Sequence, residues 1–205
     1  MSDDLTVSDG DARARLVAAD VALQSAAGAG RPGPLRRPSS WLIDHAQLLQ
    51  PGGTVLDVAC GRGRHALLLA SAGCRVRAID RNPEAIDFVR ATAERLGLEV
   101  SCSVVDLETS PPPALGSARY DAVLVFNYLH RPLFPALRGA LAVGGRLFYE
   151  TFTIAQAERG RPTNPAFLLR PSELQTLVAP LVVLRSREGE VDGQCLASIV
   201  AERQT

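Results

Sequence analysis

From residue 54 onward, short apolar runs alternate with segments whose apolar positions recur every three to four residues. The runs 54–59, 75–79, 99–105, 120–126 and 146–151 have the length and β-branched content of buried strands, while 64–72, 83–96 and 134–142 carry helical periodicity. Strand then helix, repeated, predicts βαβ units and a mostly parallel sheet. The best-punctuated element is 83–96. Asn82 caps it, Pro83 takes its first position, Ile86, Val89, Ala93 and Leu96 share one face, and Gly97 stops it.

Beyond this alternation, Pro111-Pro112-Pro113 predicts an irregular surface connection. Residues 153–169, roughly fifteen without a periodic pattern, are long enough for a lid. A helix at 172–178 leads to β runs 181–187 and 195–201, joined by 188–193, and this hairpin makes the last strand antiparallel. At the other end, 12–27 is an alanine-rich helical stretch followed by a Gly/Pro-rich one. Residues 1–38 are therefore expected to be a flexible arm and linker, and 39–205 the compact domain. Its first helix is capped by Ser39 or Ser40, buries Trp41, Leu42, His45, Leu48 and Leu49, and ends at Pro51-Gly52-Gly53.

A chain of 205 residues suits one α/β domain. The formal net charge is zero and all 22 basic residues are arginine, which excludes Schiff-base and lysine general-base chemistry. Without a basic tract, neither nucleic acid nor an anionic membrane is the expected partner; a small molecule is. Cys60, Cys74, Cys102 and Cys195 stand singly, with no zinc-type spacing, so no metal is expected and the thiols are read as reduced. The start, Met1 to Asp11, is acidic rather than a basic stretch before an apolar run, and no run of about 18 apolar residues occurs. A soluble cytoplasmic protein, monomer or homodimer, is expected.

The richest segment is Val55-Leu56-Asp57-Val58-Ala59-Cys60-Gly61-Arg62-Gly63-Arg64-His65-Ala66, a strand running through two glycines into a helix. Glycine lets backbone approach a ligand, and the helix N-terminus offers free N–H groups. As G-x-G-x-x-A, it is also a variant of the dinucleotide fingerprint. Asp57 separates the readings, because a carboxylate there repels pyrophosphate but suits a ligand carrying an ammonium and a sulfonium. Asp80, with Arg81 beside it, ends the next strand, where a carboxylate can accept both hydroxyls of a ribose. Asp106-Leu107 ends the third.

The run Asp57-Val58-Ala59-Cys60-Gly61-Arg62-Gly63 resembles the acid-x-Gly-x-Gly-x-Gly motif of class I S-adenosylmethionine-dependent methyltransferases, departing at Ala59. From Trp41 to Ala201 the chain is similar to small bacterial members of that class. It resembles more narrowly the tellurite-resistance group, through Cys60-Gly61-Arg62-Gly63-Arg64 and Phe167-Leu168-Leu169-Arg170-Pro171-Ser172-Glu173-Leu174. The resemblance implies a Rossmann-like three-layer αβα sandwich, with a seven-stranded sheet of order 3-2-1-4-5-7-6 whose last strand is antiparallel. It also implies S-adenosylmethionine as cofactor, held by Asp57, Ala59, Gly61, Gly63, Arg64, Asp80, Arg81, Asp106, Leu107 and Asn127. Where the tellurite enzymes place a His-Arg pair near the last hairpin, this chain has Glu188-Gly189-Glu190-Val191-Asp192, so tellurite methylation is not carried over.

Ligands of open α/β sheets bind beyond the carboxyl ends of the strands. Asn127-Tyr128-Leu129-His130-Arg131 and Tyr149-Glu150-Thr151-Phe152 are thus expected to face the transferred methyl. The first lacks the Asp/Asn-Pro-Pro-aromatic run of nucleobase amino-methyltransferases. His130, with Tyr128, is the candidate catalytic pair for a hydroxyl or thiol acceptor, though His130 packed under the following helix is the other reading. Arg131, Glu150, Arg161 and Arg170 are candidate acceptor ligands, with a solvated loop as the alternative for Arg161 and Arg170. His45 and His65 receive no catalytic role; His65 is placed to orient the glycine loop. Two further functional readings stand beside a methyltransferase: a non-catalytic cofactor-binding or assembly protein, and an NAD-dependent oxidoreductase using Gly61, Gly63, Ala66 and Asp80.

Overall fold

The Val-, Ile- and Leu-rich runs form one seven-stranded sheet of order β3-β2-β1-β4-β5-β7-β6 in the computed structural model, which describes residues 9–27 and 35–205. The strands are β1 (Thr54–Val58), β2 (Arg75–Asp80), β3 (Val100–Val104), β4 (Tyr120–Phe126), β5 (Leu141–Phe152), β6 (Val182–Val191) and β7 (Gln194–Glu202). Pairings among β1 to β5 are parallel; β7 runs antiparallel to both β5 and β6. The fold is thus the α/β sandwich that the sequence implies, with the expected strand order.

Helices α1 (Asp9–Ala27), α2 (Ser40–Asp44), α3 (Arg64–Ser71) and α4 (Pro83–Leu96) are followed along the chain by α5 (Phe134–Ala140) and α6 (Glu173–Val178). The core cluster joining α1 to α4 with the sheet contains Leu42, Leu67, Leu68 and Phe148; the other contains Phe134, Leu137, Tyr149 and Val178 beside α5 and α6. No helix links β3 to β4. Leu107 and Leu115 of the proline-rich connection are buried in the second cluster instead. Helix α4 starts and stops where its punctuation says: Asn82 Oδ1 accepts the N–H of Glu84 (3.0 Å) and Gly97 closes it at φ 65°.

Four elements differ from expectation. The helix after β4 ends at Ala140, and β5 begins at Leu141 rather than residue 146, because the chain pairs with Tyr120, bulges, and resumes at Arg146. Gly145 permits this, since a Cβ there would lie 2.6 Å from the Tyr120 carbonyl oxygen. The final hairpin turns on Asp192-Gly193 alone (φ 50° and 77°), the two-residue turn with both central residues at positive φ, so residues 188–191 belong to β6. Finally, α1 is no loose arm: Leu16, Ala19 and Leu23 are buried against α3 and the 3-10 turn Ala46–Leu48, which interrupts the expected helix after α2. The rest of the expected linker, 28–34, and residues 1–8 lie outside the described residues. Among the described residues, no helix is long and apolar enough to cross a membrane.

Candidate active site

Past Val58 the chain turns over the end of the sheet on Ala59, Gly61 and Gly63, all left-handed (φ 54°, 54° and 71°). Glycine adopts that conformation freely, whereas Ala59 holds it at a cost of about 1–3 kcal/mol, which explains glycine at this place in the motif it resembles. The turn is tied by Cys60 N–H to Ile79 O and Gly63 N–H to Cys60 O, both 3.0 Å. Asp80, at the end of β2, accepts Gly61 N–H (2.8 Å) on one oxygen and Asn82 N–H (2.9 Å) on the other.

Asp57 lies beneath this loop, only 2% exposed. The N-cap of α3 is Gly63, which has no side chain to offer, and Asp57 Oδ2 accepts the orphan Ala66 N–H instead, at 3.0 Å. One oxygen of the residue expected to meet a ligand is thus spent on capping α3 from below. That contact also fills with a carboxylate the helix end that a pyrophosphate would occupy, which counts against the dinucleotide reading. Burial raises the Asp57 carboxyl from 3.8 to about 7, against the opposing pull of the Ala66 N–H and Arg64.

A pH dependence follows. Above about pH 7 a negative charge appears under the loop, so affinity for a cationic ligand, such as the S-adenosylmethionine that the resemblance implies, is expected to rise between pH 6 and 8, with proton release seen by calorimetry. Without ligand the sign is opposite: the folded state keeps a proton that the unfolded chain loses above its ordinary 3.8, so stability falls as pH climbs through about 7. His65, held neutral by burial, pulls the other way below 6.5. The clean readout is therefore the melting temperature of Asp57→Asn minus that of the unaltered protein, which is expected to grow from pH 5 to 8.

Two cavities open above the strand ends. One, of ≈ 540 Å³, is lined by Cys60, Gly61, Arg62 and Arg64 of the loop, by Phe126, and by Leu35 and Arg36. The other, of ≈ 280 Å³, runs from Asp80, Arg81, Leu107 and Glu108 past Tyr128 and Leu129 to Thr151, Phe152, Pro162 and Phe167. Ala59 and Asn127 line both, so the two form one cleft. Asn127 is left-handed (φ 59°), and its N–H donates to the Glu150 carbonyl at 2.8 Å.

Of the expected cofactor positions, Ala59, Gly61, Arg64, Asp80, Arg81, Leu107 and Asn127 come together on this cleft. Gly63 stands behind it against Val89. Asp106 bends back to accept Glu108 N–H (3.0 Å), a habit of short carboxylates in turns, and Glu108 lines the wall in its place. Tyr128 lines the cleft, and its hydroxyl and His130 Nε2 are buried polar atoms with no partner among the described residues. Burial raises the Tyr128 phenol, so it stays protonated and suits donation rather than proton abstraction.

The four expected acceptor ligands are placed otherwise. Arg131 gives a fork to Glu173 (2.7 and 2.9 Å) and donates to the carbonyls of Ala166 and Leu168, both 2.9 Å. Its guanidinium fastens the lid on either side of Phe167. Glu150 is enclosed beneath the cleft, Arg161 and Arg170 are exposed, and none of the three lines it. Leu35 and Arg36 escaped notice because their segment reads as linker; Pro162 and Phe167, because residues 153–169 carry no period, while Phe152, expected to face the transferred methyl, does line the cleft. Arg131→Lys, which cannot form the fork, is expected to raise the acceptor KM about fivefold or more while donor affinity stays within about twofold, by steady-state kinetics and calorimetry.

Residues 55–145 match a family model described as a methyltransferase domain. Among curated proteins, the chain is 39% identical over 106 residues to a protein-L-isoaspartate O-methyltransferase of Methylorubrum populi, covering 52% of this chain and 48% of that protein. It is 33% identical over 168 residues to a ribosomal protein L11 methyltransferase of Cupriavidus taiwanensis, covering 80% and 49%. The chain spans about half the length of these relatives. Of solved structures, TehB from Haemophilus influenzae superposes with a TM-score of 0.68 at 21% identity, over 81% of this chain and 62% of that one. A TehB-like methyltransferase from Corynebacterium glutamicum gives 0.62 at 18%, over 93% and 98%. The family match over residues 55–145 and the fold shared with TehB make the chain similar to S-adenosylmethionine-dependent methyltransferases, TehB among them.

The cleft fits that cofactor. A Cβ on Gly61 would meet nothing within 4 Å, so the loop leaves room above it, and Asp80 presents a carboxylate in the ≈ 280 Å³ cavity. Leu107 offers an apolar surface to a base, and Arg36 and Arg64 offer positive charge to a carboxylate.

Proposed function

We propose that this chain transfers the methyl group of S-adenosylmethionine to a small-molecule acceptor held under the lid, leaving S-adenosylhomocysteine. The observation that carries the acceptor is the lid end of the ≈ 280 Å³ cavity, where Tyr128, Leu129, Phe152, Pro162 and Phe167 stand beyond Asp80 and Leu107. The apolar, aromatic lining of that end suits a small, flat molecule with a single nucleophilic hydroxyl or thiol. Cytoplasmic action, as monomer or homodimer and without nucleic acid or membrane, belongs to the same reading.

The cofactor, when bound, supplies a carbon already activated by a sulfonium. The chain's own work is then binding, alignment and exclusion of water. Asp80 and Leu107 take the adenosyl half, and Arg36 and Arg64 the carboxylate of the methionine half. Tyr128, on the cleft wall, donates a hydrogen bond to the acceptor; His130 lines neither cavity, so no proton transfer is assigned to it. Phe167, held by Arg131, closes the far wall.

The test is transfer of labelled methyl to a panel of phenols, thiols, carboxylates, amines and metalloid oxyanions, run beside total cell protein. Label is expected in a phenol or thiol, with a KM that Phe167→Ala raises. Label found only in protein, the acceptor class that two of the relatives' names print, would overturn the small-molecule reading.

A further inference from the structure

Residues 35–39 wall the donor side of the cleft through Leu35 and Arg36, yet they form no helix or strand. The N–H and the hydroxyl of the last of them make three hydrogen bonds. Ser39 N–H donates to His65 Nε2 (3.0 Å), Ser39 Oγ donates to Glu150 Oε1 (2.6 Å), and Ser39 Oγ accepts Trp41 N–H (3.1 Å) as cap of α2. Ser39, His65 and Glu150 are all buried. The His65 ring packs on Phe126, itself a cleft residue, at 4.1 Å between centroids.

A buried carboxylate must be paired, and Glu150 already has partners within the sheet: Ser198 Oγ at 2.7 Å and Arg187 Nη2 at 2.9 Å. Those satisfy Oε2 alone. The other oxygen reaches 111 positions back along the chain to Ser39. Through its main-chain carbonyl the same residue holds Asn127, the residue common to both cavities. Glu150 therefore ties the Asn127 wall and the Arg36 wall to one point of β5.

We propose that Ser39, His65 and Glu150 are positioning residues of the donor cavity, which fasten residues 35–38 as its wall and so set the place of Arg36. The proposal rests on that cavity taking S-adenosylmethionine. None of the three need touch the ligand. Glu150, expected from sequence to bind acceptor, acts on the donor side and at second hand.

The test is calorimetric titration of S-adenosylhomocysteine into the full chain and into Ser39→Ala, Ser39→Thr, Arg36→Ala and the Ser39→Ala/Arg36→Ala pair, with melting curves alongside. Ser39→Ala is expected to weaken binding about fivefold or more while the acceptor KM stays unchanged, and Ser39→Thr to restore it. The double variant is expected to bind no worse than Arg36→Ala alone, because the two changes remove one interaction. Should Ser39→Ala not fold, Glu150→Gln, which keeps the shape and weakens the Ser39 bond, is read the same way. Affinity of Ser39→Ala within about twofold of the unaltered chain, or losses that multiply in the double variant, overturns the positioning role. No binding by the unaltered chain overturns the donor-cavity reading and this proposal with it.

Discussion

Asp80→Ala is expected to weaken binding of S-adenosylhomocysteine at least about tenfold, measured by calorimetry, and to lower kcat/KM for the donor in proportion. The carboxylate does two things at once. It accepts Gly61 N–H and Asn82 N–H, fixing the glycine turn against the start of α4, and it stands on the cleft where a ribose would present its hydroxyls. A hydrogen bond to a charged acceptor contributes on the order of 1.5–3 kcal/mol, so losing two loosens the turn before any ligand contact is counted. Asp80→Asn keeps one good acceptor oxygen and should fall between. Unchanged affinity in the alanine variant would remove Asp80 from the site.

Gly63→Ala is expected to destabilise the fold by about 2–5 kcal/mol, read as a fall in melting temperature of about 2–4 °C for each kcal/mol. One part is conformational, since φ is 71° and an L side chain there costs about 1–2 kcal/mol. The other is steric. The new Cβ would lie 2.6 Å from Val89 Cγ2, and Val89 is wholly buried on the inner face of α4, so it cannot yield without disturbing the core at a further cost of about 1–3 kcal/mol. Gly61→Ala is the contrast. Its φ is also positive, so the same conformational cost of about 1–2 kcal/mol applies, but its Cβ would meet only open space, so the fold should lose less than with Gly63→Ala while the donor loses room. Equal melting temperatures for Gly63→Ala and the unaltered chain would mean that loop and helix are not packed as described.

How much of this was legible in the sequence depended on how local the cause was. Helix α4 could be read to the residue because its cap, first-position proline and stop glycine act within a single turn. The Asp192-Gly193 turn was equally local, and a D-G pair between β runs was the signal for it; reading 188–193 as a loop overlooked that pair. The strand end carrying Asp80 followed from strand period and topology, and the place of Leu107, just past β3, from the resemblance. Asp57 shows the limit. Its position at the end of β1 was readable, but not that the glycine cap of α3 would draw its carboxylate inward.

The residues missed altogether depend on distant partners. Leu35 and Arg36 reach the cleft only because Ser39 is held by groups on α3 and β5, and Phe167 only because Arg131 grips the carbonyls on either side of it. A guanidinium near a predicted acceptor site reads in sequence as a ligand for that acceptor. Glu173, which takes its fork, lies 42 positions further on.

Diffraction from crystals grown with S-adenosylhomocysteine tests most directly where the methyl donor lies. Ligand density is expected across Ala59 and Asn127, with the ribose hydroxyls at Asp80, the base against Leu107 and the carboxylate near Arg36 and Arg64, leaving the space beside Phe152 and Phe167 free. Density under Phe167 alone, with the loop from Ala59 to Gly63 bare, would contradict it.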